Sequence, residues 1–290
     1  MKPKFSVLTP VFNGEAFLRR SYWCLLEQSC ESWEWIVVDD GSTDGTAEVV
    51  EGFRDARIKL MRLKKNFGRG YARTKGLEVA VGDWVVVWDV DDVYFPDRLS
   101  VAEEALHGGF DFCVSNILLI NGQIDVVGTR GFGLAEDGVT RLFPHPTLAC
   151  KRDVLRDIGY EAGDVAGEDF YVIYMLSRTF KGHWRDGPVV AYREDANQNK
   201  LETAIGSKKS RIKAYERLSA GHLGGNVARI AKWKVKLKLW MLYVFRLCPP
   251  LYRLTFRYRD RGEKAPDSAI SGGSLGFLKV AREKERNGSW

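Results

Sequence analysis

The 290-residue chain is poor in the side chains that carry disulfide or metal-hydrolase chemistry. It has five cysteines (Cys24, Cys30, Cys113, Cys150 and Cys248), an odd number with no CxxC spacing. Its four histidines, His107, His145, His183 and His222, are scattered with no HExxH. A disulfide framework and a zinc hydrolase are therefore excluded as the organising chemistry, and reduced thiols in a cytosolic protein are expected. Long apolar runs are missing too. The longest, residues 239–245, has seven residues, against the roughly 20 that a membrane-spanning helix needs. The apolar stretch starting at Phe5 is cut by Pro10 and Asn13. That pattern reads as strand and turn, not as a signal peptide.

What is present is an ordinary globular composition, 45% hydrophobic and 28% charged, with a formal charge of +6. The charge is unevenly spread. Residues 207–261 hold 15 Lys/Arg against two acids, Glu216 and Asp260, a local +13, which leaves −7 on the remainder. An acidic body with a basic C-terminal arm is not a uniformly basic nucleic-acid-binding core, and nucleic acid is not expected as a partner. The expected organisation is a catalytic domain over residues 1–205 and a basic, aromatic-rich extension over residues 206–290.

The first half alternates strand and helix patterns. Strands are predicted at residues 5–9, 35–38, 58–63 and 84–88, and helices at 16–30, 46–53 (capped by Ser42 or Asp44) and 70–80. Such repetition predicts an α/β fold, whose ligands gather at the carboxyl ends of the strands. The chemically loaded residues fall there: Thr9, Asp39 and Asp40, and Asp89, Asp91 and Asp92. Farther on, residues 112–120 and 124–127 flank Asn121-Gly122, a hairpin signal. Residues 151–158 and 169–178 read as helices, and residues 188–192 as a last strand.

Three carboxylates within four residues, Asp89, Asp91 and Asp92, repel one another unless a cation offsets them. Hard oxygen ligands of this kind suit Mg²⁺ or Mn²⁺ bridging to a diphosphate. The competing reading is a solvated acidic turn ahead of the helix that Pro96 opens. Asp40, in the turn-rich VDDGSTDGT, could accept bonds from a base or ribose, or simply close an Asx turn. Gly68-Arg69-Gly70 opens a helix, but Arg73 stands where a dinucleotide fingerprint needs a small residue. Arg73 is expected either to face a nucleotide from the first helical turn or to lie on the surface. Glu168-Asp169 precedes an apolar helix. The pair either stabilises the helix dipole or supplies a general base.

Together, FSVLTPVFNGEAFL (5–18), WIVVDDGSTDGT (35–46), NFGRGYARTKGL (66–77), GDWVVVWDVDD (82–92) and GEDF (167–170) resemble the family 2 glycosyltransferases. HPTLACKRDVLRDIGY (145–160) and AYRED (191–195) fit the family's later segments, so the resemblance covers residues 4–195. It implies a GT-A fold, a Rossmann-like mixed sheet with flanking helices, here with a basic C-terminal helical extension. It implies donor-binding roles for Thr9, Pro10, Val11, Asn13, Asp40, Arg73, Asp89 and Asp91. The DxD pattern falls on Asp89 and Asp91, with Asp92 adjacent, as ligands for Mn²⁺ or Mg²⁺. Asp169 matches the acceptor-side base, with Glu168 as second choice. The implied reaction is inverting hexosyl or N-acetylhexosaminyl transfer from a nucleotide-sugar donor, a UDP-sugar by expectation, to a glycan or glycolipid acceptor. A catalytically silent nucleotide-sugar-binding scaffold is the alternative. The family often places a histidine after the late Tyr-Arg. Here Tyr192-Arg193 is followed by Glu194 and Asp195, and His183 is the substitute considered for a third metal ligand.

The arm alternates Lys with apolar residues over 232–240 (KWKVKLKLW), then adds Arg246, Pro249, Pro250, Arg253, Arg257, Arg259 and Arg261 among aromatics. Contact with an anionic membrane, at the cytoplasmic inner face, is the leading expectation. Packing on the acidic body is the second. The period of two weakens an amphipathic-helix reading. Residues 262–290 are expected to be loosely ordered.

Overall fold

A computed structural model describes residues 2–160, 167–194, 200–219, 225–247 and 271–290. Asp195, His222, Cys248, Pro249, Pro250, Arg253, Arg257, Arg259 and Arg261 lie outside the described residues.

The chain runs β1 (Phe5–Val11), α1 (Glu15–Leu26), β2 (Trp33–Asp39), α2 (Thr46–Gly52), β3 (Ile58–Arg62), α3 (Arg69–Val79), β4 (Trp84–Val87), β5 (Val93–Tyr94) and α4 (Arg98–His107). It continues with β6 (Phe112–Ser115), β7 (Ile117–Ile120), β8 (Val126–Arg130), β9 (Gly133–Leu134), β10 (Arg141–Leu142), β11 (Ala149–Lys151), α5 (Arg152–Ile158), α6 (Phe170–Thr179), β12 (Gly182–Arg185) and β13 (Val190–Arg193). Helices α7 (Lys200–Ser219), α8 (Gly225–Leu247) and α9 (Gly272–Asn287) follow. The division expected at residue 205 falls inside α7.

The large sheet has the order β12-β6-β11-β4-β1-β2-β3. Its β4-β1-β2-β3 portion is parallel, and β11 runs antiparallel between β4 and β6, so the sheet is mixed. Every residue of β1, β2 and β4 is buried, as central strands covered on both faces require. The pleat divides them by period two. Phe5, Val7, Trp35, Val37, Trp84 and Val86 enter one core layer with α1 and α4, while Leu8, Ile36, Val38, Val85 and Val87 enter the other with α3, α5 and α6. In the parallel register Val11 pairs with Asp39 and Leu8 with Val87. The segments after β1, β2 and β4 therefore leave the sheet along one edge.

The strand read over 112–120 is two strands. β6 belongs to the large sheet, and β7 to a second sheet of order β5-β13-β7-β8. The chain changes sheets at Asn116, whose amide donates to the Asp186 carbonyl at 2.8 Å. The hairpin through Asn121-Gly122 is formed by β7 and β8. Asp44 does not cap α2 as expected: Gly45 occupies the cap position, and the Asp44 carboxylate takes the Thr46 and Glu15 N–H groups.

Residues 271–290 are ordered, contrary to expectation. Helix α9 is capped by the Ser271 hydroxyl and buries Leu278 and Ala281. Phe277 stacks on Trp23 of α1 at 4.6 Å, with Trp290 at 5.3 Å. Cys24, Cys30, Cys113 and Cys150 are free and buried. Among the described residues, no helix is long and apolar enough to cross a membrane.

Candidate active site

The first wall is built from the turns after β1 and β2. Gly41 turns at φ +77°, and a Cβ there would stand 2.5 Å from the Lys65 carbonyl carbon, so only glycine fits. Asn13 locks the two turns together: its Oδ1 accepts the Thr43 N–H, and its own N–H donates to Ser42 Oγ, both at 2.9 Å. Asp40 is buried, and its two carboxylate oxygens accept the Phe67 and Gly68 N–H groups at 2.8 Å. It thereby holds the glycine-rich approach to α3. Thr9 is fully buried and accepts the Trp35 indole N–H at 2.8 Å, so its hydroxyl serves the core and not a pocket wall.

The second wall is the acidic turn after β4. A cavity of about 210 Å³ is lined by Pro10, Val11, Asn13, Arg69, Asp89 and Asp91, among others. Burial, then the charge of Asp89, pushes the Asp91 carboxyl above its ordinary range. Asp92 does not join them. It is fully buried, and its Oδ1 accepts the Arg193 backbone N–H at 2.9 Å. Burial and the two neighbouring aspartates push its carboxyl well up. The turn is clamped from behind by two arginines. Arg20 donates to the Asp91 carbonyl at 2.7 Å, Arg193 to the same carbonyl at 3.3 Å, and Glu285 of α9 faces both.

Asp89 and Asp91 fit a hard divalent cation: two carboxylates on one open wall leave positions for water and diphosphate oxygens. Asp92, expected as a third ligand, does not line this cavity: it is fully buried, with Oδ1 on the Arg193 backbone N–H. Among the described residues, no three His, Cys, Asp or Glu side chains converge to hold an ion. His183 is no substitute, because it sits on the outermost strand β12 with its ring edge against Phe110 at 5.1 Å.

The third wall joins the acidic turn to the start of α6. Arg73, buried, donates to Asp89 at 2.8 Å and to Glu168 at 2.6 Å. Burial disfavours its charge, yet the two carboxylates hold it protonated. Burial alone would raise Glu168, but Arg73 and Arg69 hold that carboxyl below its ordinary value. Asp169 goes the other way: burial, then the Glu168 charge, pushes it up to about 6. Two adjacent carboxyls are thus driven apart, one paired and ionised, the other near the operating range of a base. Gly167 precedes them at φ +98°, where a Cβ would stand 3.1 Å from Ser207 Cα of α7.

Asp169 lines a second cavity, of about 300 Å³, with Arg69, His145, Tyr192, Ser207 and Arg211 among its other residues. Burial and the Arg73 charge keep His145 well below its usual value, hence neutral, and its Nε2 lies 3.0 Å from the Tyr160 hydroxyl. Arg69 lines both cavities, so they adjoin at this residue.

Residues 6–163 match the family described as glycosyl transferase family 2. The Bacillus subtilis protein EpsE, named as a glycosyltransferase, is 38% identical over 230 residues, which are 74% of this chain and 81% of that one. The chain belongs to glycosyl transferase family 2.

Other curated members of that family, some named for teichuronic acid or succinoglycan biosynthesis, are matched over less than half of their own length. Solved structures show the GT-A fold. Staphylococcus aureus TarS residues 1–349, in complex with UDP-GlcNAc, superimposes with a TM-score of 0.62 at 17% identity, covering 99% of this chain and 93% of that one. The mannosyltransferase PcManGT of Pyrobaculum calidifontis, in complex with GDP-Man and Mn²⁺, does so with a TM-score of 0.57 at 20% identity, covering 100% and 89%.

Of the residues the family resemblance singled out, the structure brings Pro10, Val11, Asn13, Asp89 and Asp91 to one cavity and Asp169 to the adjoining one. Asp40, Arg73 and Glu168 stand behind the walls, holding them. The residue of α3 that reaches the cavities is Arg69, not Arg73. Its signal was available, since Arg69 is the first helical residue after Gly68. His145 and Arg193 fall in the 145–160 and 191–195 segments, which carried the resemblance but gave neither residue a role. Their places depend on pairing between segments far apart in the chain.

Proposed function

We propose that this protein is an inverting, metal-assisted glycosyltransferase. In this reading a nucleotide-diphosphate sugar, a UDP-sugar first among candidates, lies along Pro10, Val11 and Asn13 with its diphosphate toward Asp89, Asp91 and Arg69. A Mn²⁺ or Mg²⁺ ion held by Asp91 and Asp89 would supply Lewis-acid stabilisation of the departing nucleotide diphosphate. Asp169 takes the proton from the acceptor hydroxyl as its oxygen attacks the anomeric carbon from the opposite side. Arg69, at the junction of the cavities, offers its guanidinium to the charge that grows on the leaving group. Glu168 keeps Arg69 and Arg73 in place and leaves Asp169 as the base. The acceptor is a glycan or glycolipid of cell-surface synthesis, met at the cytosolic face of a membrane.

The observation that carries this reading is the carboxyl of Asp169, raised to about 6 in a cavity that adjoins the Asp89–Asp91 wall at Arg69. Thermal stabilisation against a panel of nucleotide sugars, with and without Mn²⁺, followed by nucleotide release with the stabilising donor, tests it. Stabilisation without release in the presence of glycan and lipid-linked acceptors would favour the silent binding protein instead.

A further inference from the structure

Helix α8 carries two apolar faces. Ala228, Ala231, Val235 and Leu242 are buried on the face that meets the body. Ile230, Trp233, Leu237, Trp240 and Met241 are exposed, with 62% of Trp233 and 63% of Trp240 accessible. At 3.6 residues per turn, these five fall within an arc of about 100°, roughly opposite the buried face. The alternation of Lys with apolar residues that argues against segregation thus resolves into a stripe, because the large apolar residues recur three and four apart. Lys236 borders it on one side. On the other lie Lys234, whose Nζ donates to the Glu136 carbonyl at 3.1 Å, and Lys238, whose Nζ is 3.3 Å from the Glu136 carboxylate.

An exposed stripe of this size marks a contact surface, and charge selects its occupant. α8 holds six basic residues and no acid; α7 holds six basic residues and two acids, Glu202 and Glu216. A second copy meeting this face would bring like charges together. An anionic phospholipid surface supplies both needs, a bed for the apolar stripe and negative charge for its border. Tryptophan, apolar with one polar N–H, suits the headgroup boundary. We propose that α8 lies in the plane of an anionic phospholipid bilayer with Ile230, Trp233, Leu237, Trp240 and Met241 inserted at the interface. Helix α7, which lines the Asp169 cavity with Ser207 and Arg211, packs directly on α8. Helix α7 thus joins the wall of the Asp169 cavity to the helix that touches lipid. This surface names the partner in the membrane-apposed reading above, yet lipid binding requires no catalysis and is tested apart from it.

The test is flotation of the full chain with vesicles of phosphatidylcholine alone and of phosphatidylcholine mixed with phosphatidylglycerol. The wild-type chain is expected to float with the anionic vesicles and to be released by salt. The double substitution Trp233→Ser/Trp240→Ser lowers partition about tenfold or more, and Lys236→Ser about fivefold at low salt. Unchanged far-ultraviolet circular dichroism and an unchanged urea midpoint show that the variants remain folded. Failure of the wild-type chain to bind anionic vesicles, or equal flotation of the double variant, overturns the proposal. So does a wild-type dimer that becomes a monomer in the double variant, which assigns the stripe to a second copy. Resistance of a Trp240→Cys thiol to aqueous labelling in the free monomer also overturns it, placing residues 248–270 over the stripe.

Discussion

Asp169 and Glu168 are chemically alike and one residue apart, yet their surroundings give them opposite tendencies. Arg73 and Arg69 neutralise Glu168, so the proton that burial favours settles on Asp169. A base must be deprotonated to act, so transfer is expected to climb as pH rises through about 6 and then level off, as read in kcat/KM against pH. Asp169→Asn should remove that limb and lower kcat by about 10²- to 10⁴-fold with nucleotide-sugar binding retained. Full activity in that variant would end the assignment. Arg73 tests the other half. Its removal takes the buried guanidinium from Asp89 and leaves Glu168 with Arg69 alone, so Arg73→Met should cost about 3–5 kcal/mol in urea unfolding at neutral pH. The sign follows from Glu168, whose folded carboxyl titrates below its unfolded value. Its stabilisation is present above the unfolded pKa and disappears as pH falls through the folded one. The gap between wild type and variant should therefore narrow in acid. The types of these residues were legible in the sequence. Their partners were not, because Arg73 meets Asp89 16 positions away and Glu168 95 positions away.

At the scale of elements, α9 acts on the acidic turn from outside the catalytic sheet. Its Phe277 is held by Trp23, and its Glu285 faces Arg20 and Arg193, which grip the Asp91 carbonyl. Arg20 is fully buried, so loss of the carboxylate leaves a guanidinium short of its partner. Glu285→Ala should lower the unfolding free energy by about 1–3 kcal/mol, and Glu285→Asp should restore part of it; urea midpoints decide. A variant as stable as the wild type would reduce the clamp to a surface contact. The sequence did not announce α9, since a Gly- and Ser-containing stretch of low hydropathy becomes a helix only when an aromatic surface is there to receive it. The strand over 112–120 fails for a related reason. Its apolar run continues across Asn116, and only pairing shows that the two halves join different sheets.

The whole molecule places an acidic body beside a hairpin of opposite charge. In the proposed arrangement, α8 meets the lipid and α7 joins it to the wall of the Asp169 cavity, so membrane contact holds the base-bearing side of the molecule at the bilayer where an embedded acceptor is presented. Trp233→Ser/Trp240→Ser should therefore slow transfer to an acceptor presented on anionic vesicles and leave transfer to a short water-soluble analogue unchanged. Equal loss on both acceptors would mean that the stripe serves folding and not presentation.

The alternation of apolar strands with amphipathic helices, and the placing of Asn13, Asp40, Asp89, Asp91 and Asp169 in the links between them, followed from the sequence alone. Periodicity and turn chemistry act over a few residues and can be read locally. The tertiary structure decided which of those carboxyls face open space. Asp89 and Asp91 line a cavity while Asp92 turns inward to Arg193, and the carboxyl of Asp169 is raised while that of Glu168 is lowered by Arg73 and Arg69. It also decided that the +13 arm contains a helix whose exposed large apolar residues line up as a stripe. Charge and burial act through space, and distance through space is set by pairing between segments whose separation along the chain carries no such information.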